Sequence, residues 1–243
     1  MQTKIRFFVL SVILLFTVQA CMAGEKTLWK VNRAKLTEKT SSYKVDITYP
    51  EITGLSDAKT AKYCNDVLKK YAQDSVVDFK KEMNSLIKEG LKSHAGYDVV
   101  IKFTSSGTAR YASFNFEGGR FLGGAHPEPL NKTFVFDLKN SKVVSFSSLF
   151  NPKSDYLKKI SSYCISDLNK QEPDMADFAK TGAAPDLNNY KWFVVTDSKL
   201  VVIFPSCTAG PYAAGTREVK IPFSVLSKMG IVNTSGILGE VVK

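Results

Sequence analysis

The segment EGGRFLGGAHPEP, residues 117–129, combines potentially reactive side chains with residues that bend the backbone. Its four glycines and two prolines surround His126, and Arg120 and Glu128 lie close by in the chain. Glycine permits backbone conformations that other residues avoid, and it lets a partner approach closely. If the three polar side chains converge, His126 could serve as an acid, a base or a hydrogen-bond donor. The candidate ligand-binding residues of this segment are therefore Gly123, Gly124, His126 and Glu128.

A structural role is the alternative for the same segment. The glycines would then shape a bulged connection between two strands, and His126 would bond a backbone carbonyl. A lone histidine without an evident nucleophile is a poor catalytic candidate. The sequence therefore favours the structural role over a catalytic one.

A second loop of small residues, TAGPYAAGTR at 208–217, joins two predicted strands and carries a tyrosine and an arginine. Tyr212 could present an aromatic face, and Arg217 a bidentate donor, to a carboxylate or a sugar ring. Equally, the loop could be a tight turn whose tyrosine packs on the core. The sequence leaves both interpretations of this loop open.

The common catalytic and nucleotide-binding motifs do not occur in the sequence: GxxxxGK[ST], GxGxxG, HExxH, GxSxG and CxxC are missing. Only two histidines are present, His94 and His126, which argues against a multi-histidine metal site. We therefore expect neither a metal nor a cofactor. The catalytic alternative is a small carbohydrate-active hydrolase, deacetylase-like or glycosidase-like, that uses His126 with Glu128 or Asp137.

The N-terminus has the features of a secretory signal peptide over residues 1–20. Lys4 and Arg6 precede a twelve-residue apolar core at 7–18. This core is too short for a bilayer-spanning helix, which needs about 20 residues. Cys21 follows a small residue, as in a lipobox, so we expect a diacylglycerol thioether that anchors Cys21 to a membrane. Ordinary signal peptidase cleavage, which leaves Cys21 free, is the alternative.

Three further cysteines, Cys64, Cys164 and Cys207, lie far apart in the chain. Export would place them where disulfides can form, but no pairing can be deduced. Their spacing matches neither a zinc site nor a redox motif. We interpret them as small buried hydrophobic residues, with room for one bridge.

The chain is basic, with a formal net charge of +10 at neutral pH. Removal of residues 1–20 takes away Lys4 and Arg6 and lowers the charge by two, to +8. A positive protein is attracted to anionic envelope material, such as phospholipid headgroups or acidic wall polymers. Nucleic acid is not an expected partner, because the lysines form doublets on helices of mixed charge.

The first half of the chain predicts strands around one long helix. Alternation over 43–49 predicts a half-buried strand that Pro50 ends. A long helix should begin after a cap at Ser56 or Asp57 and end near Gly90. Four β runs at 97–103, 109–116, 132–137 and 142–145 then predict an antiparallel meander, with Asn140 adopting a positive φ in its last turn.

The second half predicts a helix at 155–168, a helical turn at 174–178, strands at 192–196, 200–204 and 217–221, and a short helix at 222–230. This order indicates an α+β fold, an antiparallel β-sheet packed by one long N-terminal helix and one or two shorter helices. We expect residues 21–42 to form a tether and an N-terminal strand, 43–122 a first part with the long helix, and 123–243 a second part with most of the sheet.

Several segments, taken in order, resemble a family of extracytoplasmic domains. They are YKVDITYPEITGL at 43–55, GGAHP at 123–127, FVFDL at 134–138, Leu149 with Phe150, GPYAAG at 210–215 and VKIPFSVL at 219–226. These segments are similar to the paired domains of unknown function in the anti-sigma factor RsiV and in the N-terminal part of the peptidoglycan deacetylase PdaC. The resemblance covers residues 43–228.

This resemblance implies an α+β extracytoplasmic module. RsiV-like proteins sense lysozyme by binding it through such a module, whereas PdaC-like proteins carry the module beside a separate deacetylase domain. Animal lysozymes are basic, so a domain of charge +8 would repel them unless its acidic groups were concentrated on one face. A wall polymer or another envelope protein is physically easier to accept.

The sequence therefore predicts a secreted, lipid-anchored binding module of the bacterial cell envelope, periplasmic or on the cell surface, without catalytic activity. Its ligand would be a wall glycan such as peptidoglycan, or an envelope or host protein such as lysozyme. The ligand contacts would lie near Gly123–His126 and Tyr212–Arg217.

Overall fold

The computed structural model describes residues 29–91, 93 and 95–242. The predicted signal peptide at 1–20 and the predicted lipidation of Cys21 lie outside these residues. The strands are β1 (Lys30–Lys39), β2 (Tyr43–Thr53), β3 (Tyr97–Gly107), β4 (Tyr111–Phe121), β5 (Glu128–Asp137), β6 (Lys142–Val143), β7 (Phe193–Val195), β8 (Lys199–Phe204) and β9 (Arg217–Pro222). Within the described residues they form a six-stranded sheet, β1-β2-β3-β4-β5-β6, and a three-stranded sheet, β7-β8-β9.

The helices are α1 (Ala58–Lys88), α2 (Tyr156–Gln171), α3 (Ala176–Gly182), α4 (Phe223–Met229) and α5 (Ile237–Val241). The predicted α+β class, with a long N-terminal helix on a largely antiparallel sheet, is confirmed. One pair, β2 with β3, is parallel. Because α1 lies between these two strands in the chain, it provides the crossover connection that parallel neighbours require. In the part of the chain that the structure describes, no helix is both long and apolar enough to cross a membrane.

Helix α1 begins and ends where its sequence predicts. The Asp57 carboxylate caps the first turn by accepting hydrogen bonds from the Lys59 backbone N–H and the Thr60 hydroxyl, at 2.9 and 2.6 Å. Gly90 follows the helix with a φ of +82°, a conformation that glycine adopts without steric cost. The residues that α1 buries against the larger sheet recur every three or four positions and include Cys64, Leu68, Ala72, Phe79 and Met83.

Two local predictions are wrong. β2 does not stop at Pro50 but continues to Thr53, and Pro50 is the register partner of Arg33 in β1. This end of β2 has no partner on the β3 side, since that pairing covers only residues 43–47, and an open edge tolerates a residue without an N–H. In the turn before β6, the positive φ belongs to Ser141 and not to Asn140.

The distribution of strands also differs from the expectation that residues 123–243 contain most of the sheet. Four of the six strands of the larger sheet, β1 to β4, lie before residue 122. Strand β1 is an edge strand on which no residue is fully buried, so its sequence lacks the apolar alternation that signals a strand. Strand β4 continues through Gly118 and Gly119, which by type suggest a loop.

Strand β4 is covered on both faces. Ala112, Phe114 and Phe116 point toward α1 and belong to the core between that helix and the larger sheet. Tyr111, which lies on the opposite face, belongs to a second core with the smaller sheet and α2. The larger sheet therefore separates two hydrophobic cores.

The seam between the two sheets is formed by hydroxyl side chains of the larger sheet and the outer backbone edge of β7. The Val195 N–H donates to Ser113 Oγ at 3.1 Å, and the Ser106 hydroxyl donates to the Val195 carbonyl at 3.1 Å. The Phe193 N–H donates to Thr133 Oγ1 at 3.1 Å. β7 pairs with β8 on its other side. These side chains therefore satisfy backbone groups of β7 that would otherwise be unpaired between the sheets.

A buried ion pair lies at the start of β4, where Arg110 precedes the strand. Arg110 and Asp137, 8% and 3% exposed, form two contacts through the guanidinium, and its Nη2 lies 3.0 Å from Asp137 Oδ2. The Arg110 Nε also lies 2.9 Å from Glu240 Oε1 in α5. Burial raises the pKa of Asp137, but the Arg110 guanidinium and two hydrogen bonds from Asn140 outweigh it, so that pKa lies below its ordinary value.

Asp137→Asn should lower the free energy of unfolding at neutral pH, because among the described residues it leaves the buried Arg110 guanidinium with Glu240 as its remaining counter-charge. We expect a loss near the lower end of the about 3–5 kcal/mol found when one partner of a buried pair is removed. Urea denaturation measures it. Asp174→Asn, at an exposed carboxylate, is the control and should stay within about 0.5 kcal/mol of the wild type.

The same variant should change the acid limb of the stability curve. Since the native pKa of Asp137 is lowered, its ionised form stabilises the native state fully above the unfolded carboxyl pKa, about 3.9. This contribution is lost as the pH falls through the lower native value. Asp137→Asn should therefore show a flatter loss of stability below about pH 4 than the wild type. An equally steep loss of stability in acid for the variant would contradict the lowered native pKa of Asp137.

Ser113→Ala tests the seam. It leaves the buried Val195 N–H without its acceptor, so the free energy of unfolding should fall by about 1–3 kcal/mol. Ser105→Ala, on the neighbouring strand with an exposed side chain, is the matched control and should change little. Equal stability of the two variants in urea denaturation would mean that the hydroxyl does not hold β7.

Candidate functional site

The two candidate loops meet in the structure. The first, residues 122–127, connects β4 to β5, and the second, residues 205–216, connects β8 to β9 of the other sheet. The His126 imidazole stacks on the Tyr212 ring with centroids 3.9 Å apart and an angle of 22° between the planes. Both side chains are exposed. We name this pair the aromatic platform.

The Pro127 carbonyl holds the two rings of the aromatic platform together. It accepts a hydrogen bond from the Tyr212 hydroxyl at 2.9 Å, and His126 Nδ1 lies 3.2 Å from the same oxygen. The second contact is a hydrogen bond when His126 carries its proton on Nδ1. Pro127 itself lies close over β4, where a Cβ at Gly119 would come within 3.3 Å of the proline ring. Gly119 therefore allows the loop to approach the strand.

The two glycines of the first loop have different roles. Gly123 has a φ of +90°, and a Cβ there would lie 3.0 Å from Ser93 Cβ, so both conformation and space favour glycine. A Cβ at Gly124 would meet nothing closer than 3.9 Å. Both glycines are exposed beside His126. They shape the loop and leave the platform accessible to a ligand.

Glu128 is held on the α1 side of the larger sheet, where its carboxylate pairs with Arg120 and not with either ring of the platform. The Arg120 Nε lies 2.8 Å from Glu128 Oε2, and the Arg120 Nη1 lies 2.7 Å from Glu82 Oε1 in α1. Burial lowers the pKa of Arg120, but the two carboxylates raise it further, so the net direction is upward. Arg120 thus connects β4, β5 and α1, and it fixes the strand ends from which the first loop departs.

Arg217 does not face a ligand. Its side chain is 6% exposed, and its guanidinium donates to the carbonyls of Ala209 and Leu168 at 2.9 and 2.7 Å. It therefore holds the second loop and the end of α2 to the start of β9. The prediction that Arg217 presents a bidentate donor to a ligand does not agree with this burial.

Asp137 is also remote from the platform. It lies at the opposite end of β5 from Glu128, nine residues along an extended strand, or about 30 Å. Its carboxylate is committed to Arg110 and Asn140. The hydrolase alternative that pairs His126 with Asp137 is therefore not supported by the fold.

The described cysteines are thiols without disulfide partners. Cys64 and Cys164 are buried, whereas Cys207 is exposed. Burial raises the pKa of the Cys64 thiol to about 12, and it raises that of Cys164 as well. Within the part of the chain that the structure describes, no group of three or more His, Cys, Asp or Glu residues could hold a metal ion.

The sequence predicted both loops and the two rings, His126 and Tyr212, but not the contact between them. Tyr212 and Pro127 are 85 positions apart, and no local pattern indicates that their loops meet. Glu82 lies on a helix of mixed charge, where its type gives no sign of the contact with Arg120. Both loops were predicted from their composition, in which glycine and proline surround one aromatic or imidazole ring. This composition does not indicate that the two loops contact each other.

Two family models match the chain. Residues 36–128 match the model described as Deacetylase PdaC, and residues 147–224 match the model described as Protein of unknown function (DUF3298). The first region contains most of the larger sheet with α1, and the second extends from the turn before α2 into α4. Each match thus covers one of the two hydrophobic cores in large part.

Curated relatives include the peptidoglycan-N-acetylmuramic acid deacetylase PdaC of Bacillus subtilis. It is 26% identical over 187 residues, which are 72% of this chain and 40% of that protein. An esterase of Mycobacterium tuberculosis is 30% identical over 111 residues, 45% of this chain and 48% of that protein. The chain therefore spans less than half the length of these relatives.

Crystal structures of DUF3298-family proteins share the fold. The superposition on the protein from Bacteroides fragilis has a TM-score of 0.67 and covers 89% of this chain and 98% of that chain. The protein from Pseudomonas aeruginosa has a TM-score of 0.60, with coverages of 86% and 96%. Sequence identity is 15% in both cases. The family matches, the relatives and the shared fold together support the resemblance inferred from the sequence: residues 36–128 are similar to the PdaC domain and residues 147–224 to the DUF3298 domain.

Proposed function

We propose that this chain is a non-catalytic module of the cell envelope that binds a wall glycan through the aromatic platform. The observation that carries the proposal is the stacking of two exposed rings, His126 and Tyr212, contributed by loops of different sheets. A curated relative named for its action on peptidoglycan N-acetylmuramic acid supports an envelope location and a wall ligand.

The chemistry of the platform suits a sugar. Exposed aromatic rings offer an apolar face to a ligand, and the stack fixes that face before binding, which lowers the entropy cost of association. The Pro127 carbonyl keeps the phenol hydroxyl occupied, so Tyr212 contributes its ring more than its polar end.

Charge favours a wall polymer over a lysozyme-like partner. The positive net charge of the chain attracts anionic polymers and repels a basic protein. The catalytic alternative is left with His126 and Glu128, and the latter is paired with Arg120. Because one curated relative is named as an esterase, hydrolysis is measured as a separate outcome.

Export and anchoring belong to the same proposal. The signal peptide at 1–20 would carry the chain out of the cytoplasm, and lipidation of Cys21 would hold it at a membrane. Cys21→Ser should then move the protein from the membrane fraction to the soluble fraction of cells that express it. An unchanged membrane fraction would contradict lipidation, and the mass of the purified protein identifies any lipid directly.

Co-sedimentation with insoluble peptidoglycan over a series of salt concentrations tests the glycan proposal. Tyr212→Ala removes one ring of the stack and should weaken retention by about tenfold or more, equivalent to about 1.4 kcal/mol. His126→Ala should weaken it in the same direction. Phe178→Ala, at another exposed aromatic residue on α3, is the matched control and should bind like the wild type.

Three results would separate the alternatives. Retention at high salt that depends on Tyr212, without released sugar or acetate, agrees with the proposal. Release of sugar or acetate into the supernatant would overturn the non-catalytic assignment in favour of a hydrolase. Retention that modest salt abolishes, or that Tyr212→Ala leaves unchanged while thermal melting shows a folded variant, would overturn the platform as the binding site.

A further inference from the structure

A second polar site lies between the two sheets, next to the seam. The larger sheet forms its floor and the smaller sheet its wall, around a cleft of about 240 Å³. Thr104 and Asn115 are cross-strand partners on the floor, one row beyond the partners Ser106 and Ser113 that hold β7. No residue of the aromatic platform lines this cleft.

The floor contains an unsatisfied acceptor. Asn115 is 6% exposed, and its Nδ2 donates to Glu117 Oε1 at 2.7 Å. Because a carboxylate accepts but does not donate, this contact fixes the orientation of the amide. The Asn115 Oδ1 is then buried and has no hydrogen-bond partner among the residues that the structure describes. A buried acceptor without a donor is costly, so this atom calls for a ligand that brings an O–H or N–H.

The wall carries charge of mixed sign with a positive excess. Lys199 on β8 and Lys220 on β9 line the cleft together with Glu218. The Lys220 Nζ lies 3.4 Å from Glu218 Oε2, so Glu218 neutralises one of the two ammonium groups. Among the residues that line the cleft, one positive charge therefore remains for an anionic group, and the hydroxyl side chains of Thr104 and Ser113 line the same cleft as Asn115.

We propose that this cleft binds a small sugar that carries a carboxylate. A ring hydroxyl of the ligand would donate to Asn115 Oδ1, and the ligand carboxylate would contact Lys199 and Lys220. Hydroxyl side chains both donate and accept, which suits the many hydroxyl groups of a sugar ring. This site is separate from the aromatic platform and does not depend on the function proposed for it.

Glucuronic acid and glucuronamide test the proposal, because they share the ring and its hydroxyl groups and differ in the charge of one substituent. Titration of the full chain by calorimetry or by NMR should show glucuronic acid binding at least about tenfold more tightly than glucuronamide. Lys220→Gln should weaken the binding of glucuronic acid. Glu218→Gln should strengthen it, because the carboxylate that opposes the ligand and occupies Lys220 is removed. Lys180→Gln, at an exposed lysine on α3, is the control and should change neither affinity.

Asn115→Leu should abolish the binding of both sugars. If this variant does not fold, the opposite effects of Lys220→Gln and Glu218→Gln, on the wall of the cleft, still test whether the sugar binds there. Equal affinity for glucuronic acid and glucuronamide, the same direction of change in both wall variants, or no binding of either sugar to the folded wild-type protein would each overturn the proposal.

Discussion

The packing of the two sheets depends on the hydrogen bonds that the larger sheet makes to the outer backbone edge of β7. Backbone groups on this edge of the short strand lie between two sheets, where an unpaired N–H or carbonyl would be costly. Ser106, Ser113 and Thr133 supply the missing partners from the face of the larger sheet. These bonds fix the position of one sheet over the other, so loops that belong to different sheets meet in a defined way.

The residues on one face of β4 contribute to three features: the second core, the seam and the cleft. Tyr111 is fully buried and joins the second core, and Ser113 bonds to β7. Asn115 then lies on the floor of the cleft, and the Glu117 carboxylate accepts a hydrogen bond from its Nδ2. At Gly119 the face is bare, which lets Pro127 approach and carry the aromatic platform.

Much of the local structure could be predicted because its signals are local. Helix α1 has a capping aspartate, an apolar face and a terminal glycine, and strands such as β3 and β9 alternate between buried and more exposed residues. The seam could not be predicted, since Ser113 and Thr133 in a strand also fit a face in contact with solvent. The buried roles of Arg217 and Asp137 were missed for a related reason: their partners, backbone carbonyls in one case and Arg110 in the other, come together only in the folded chain.

The central claim is that the seam brings His126 and Tyr212 into one stacked pair. Nuclear Overhauser effects between the ring protons of the two residues, recorded on the protein in solution, measure this contact directly. Strong effects between the imidazole and phenol protons agree with centroids 3.9 Å apart. Well-resolved signals for both rings without any effect between them would show that the loops do not meet, and would contradict the account.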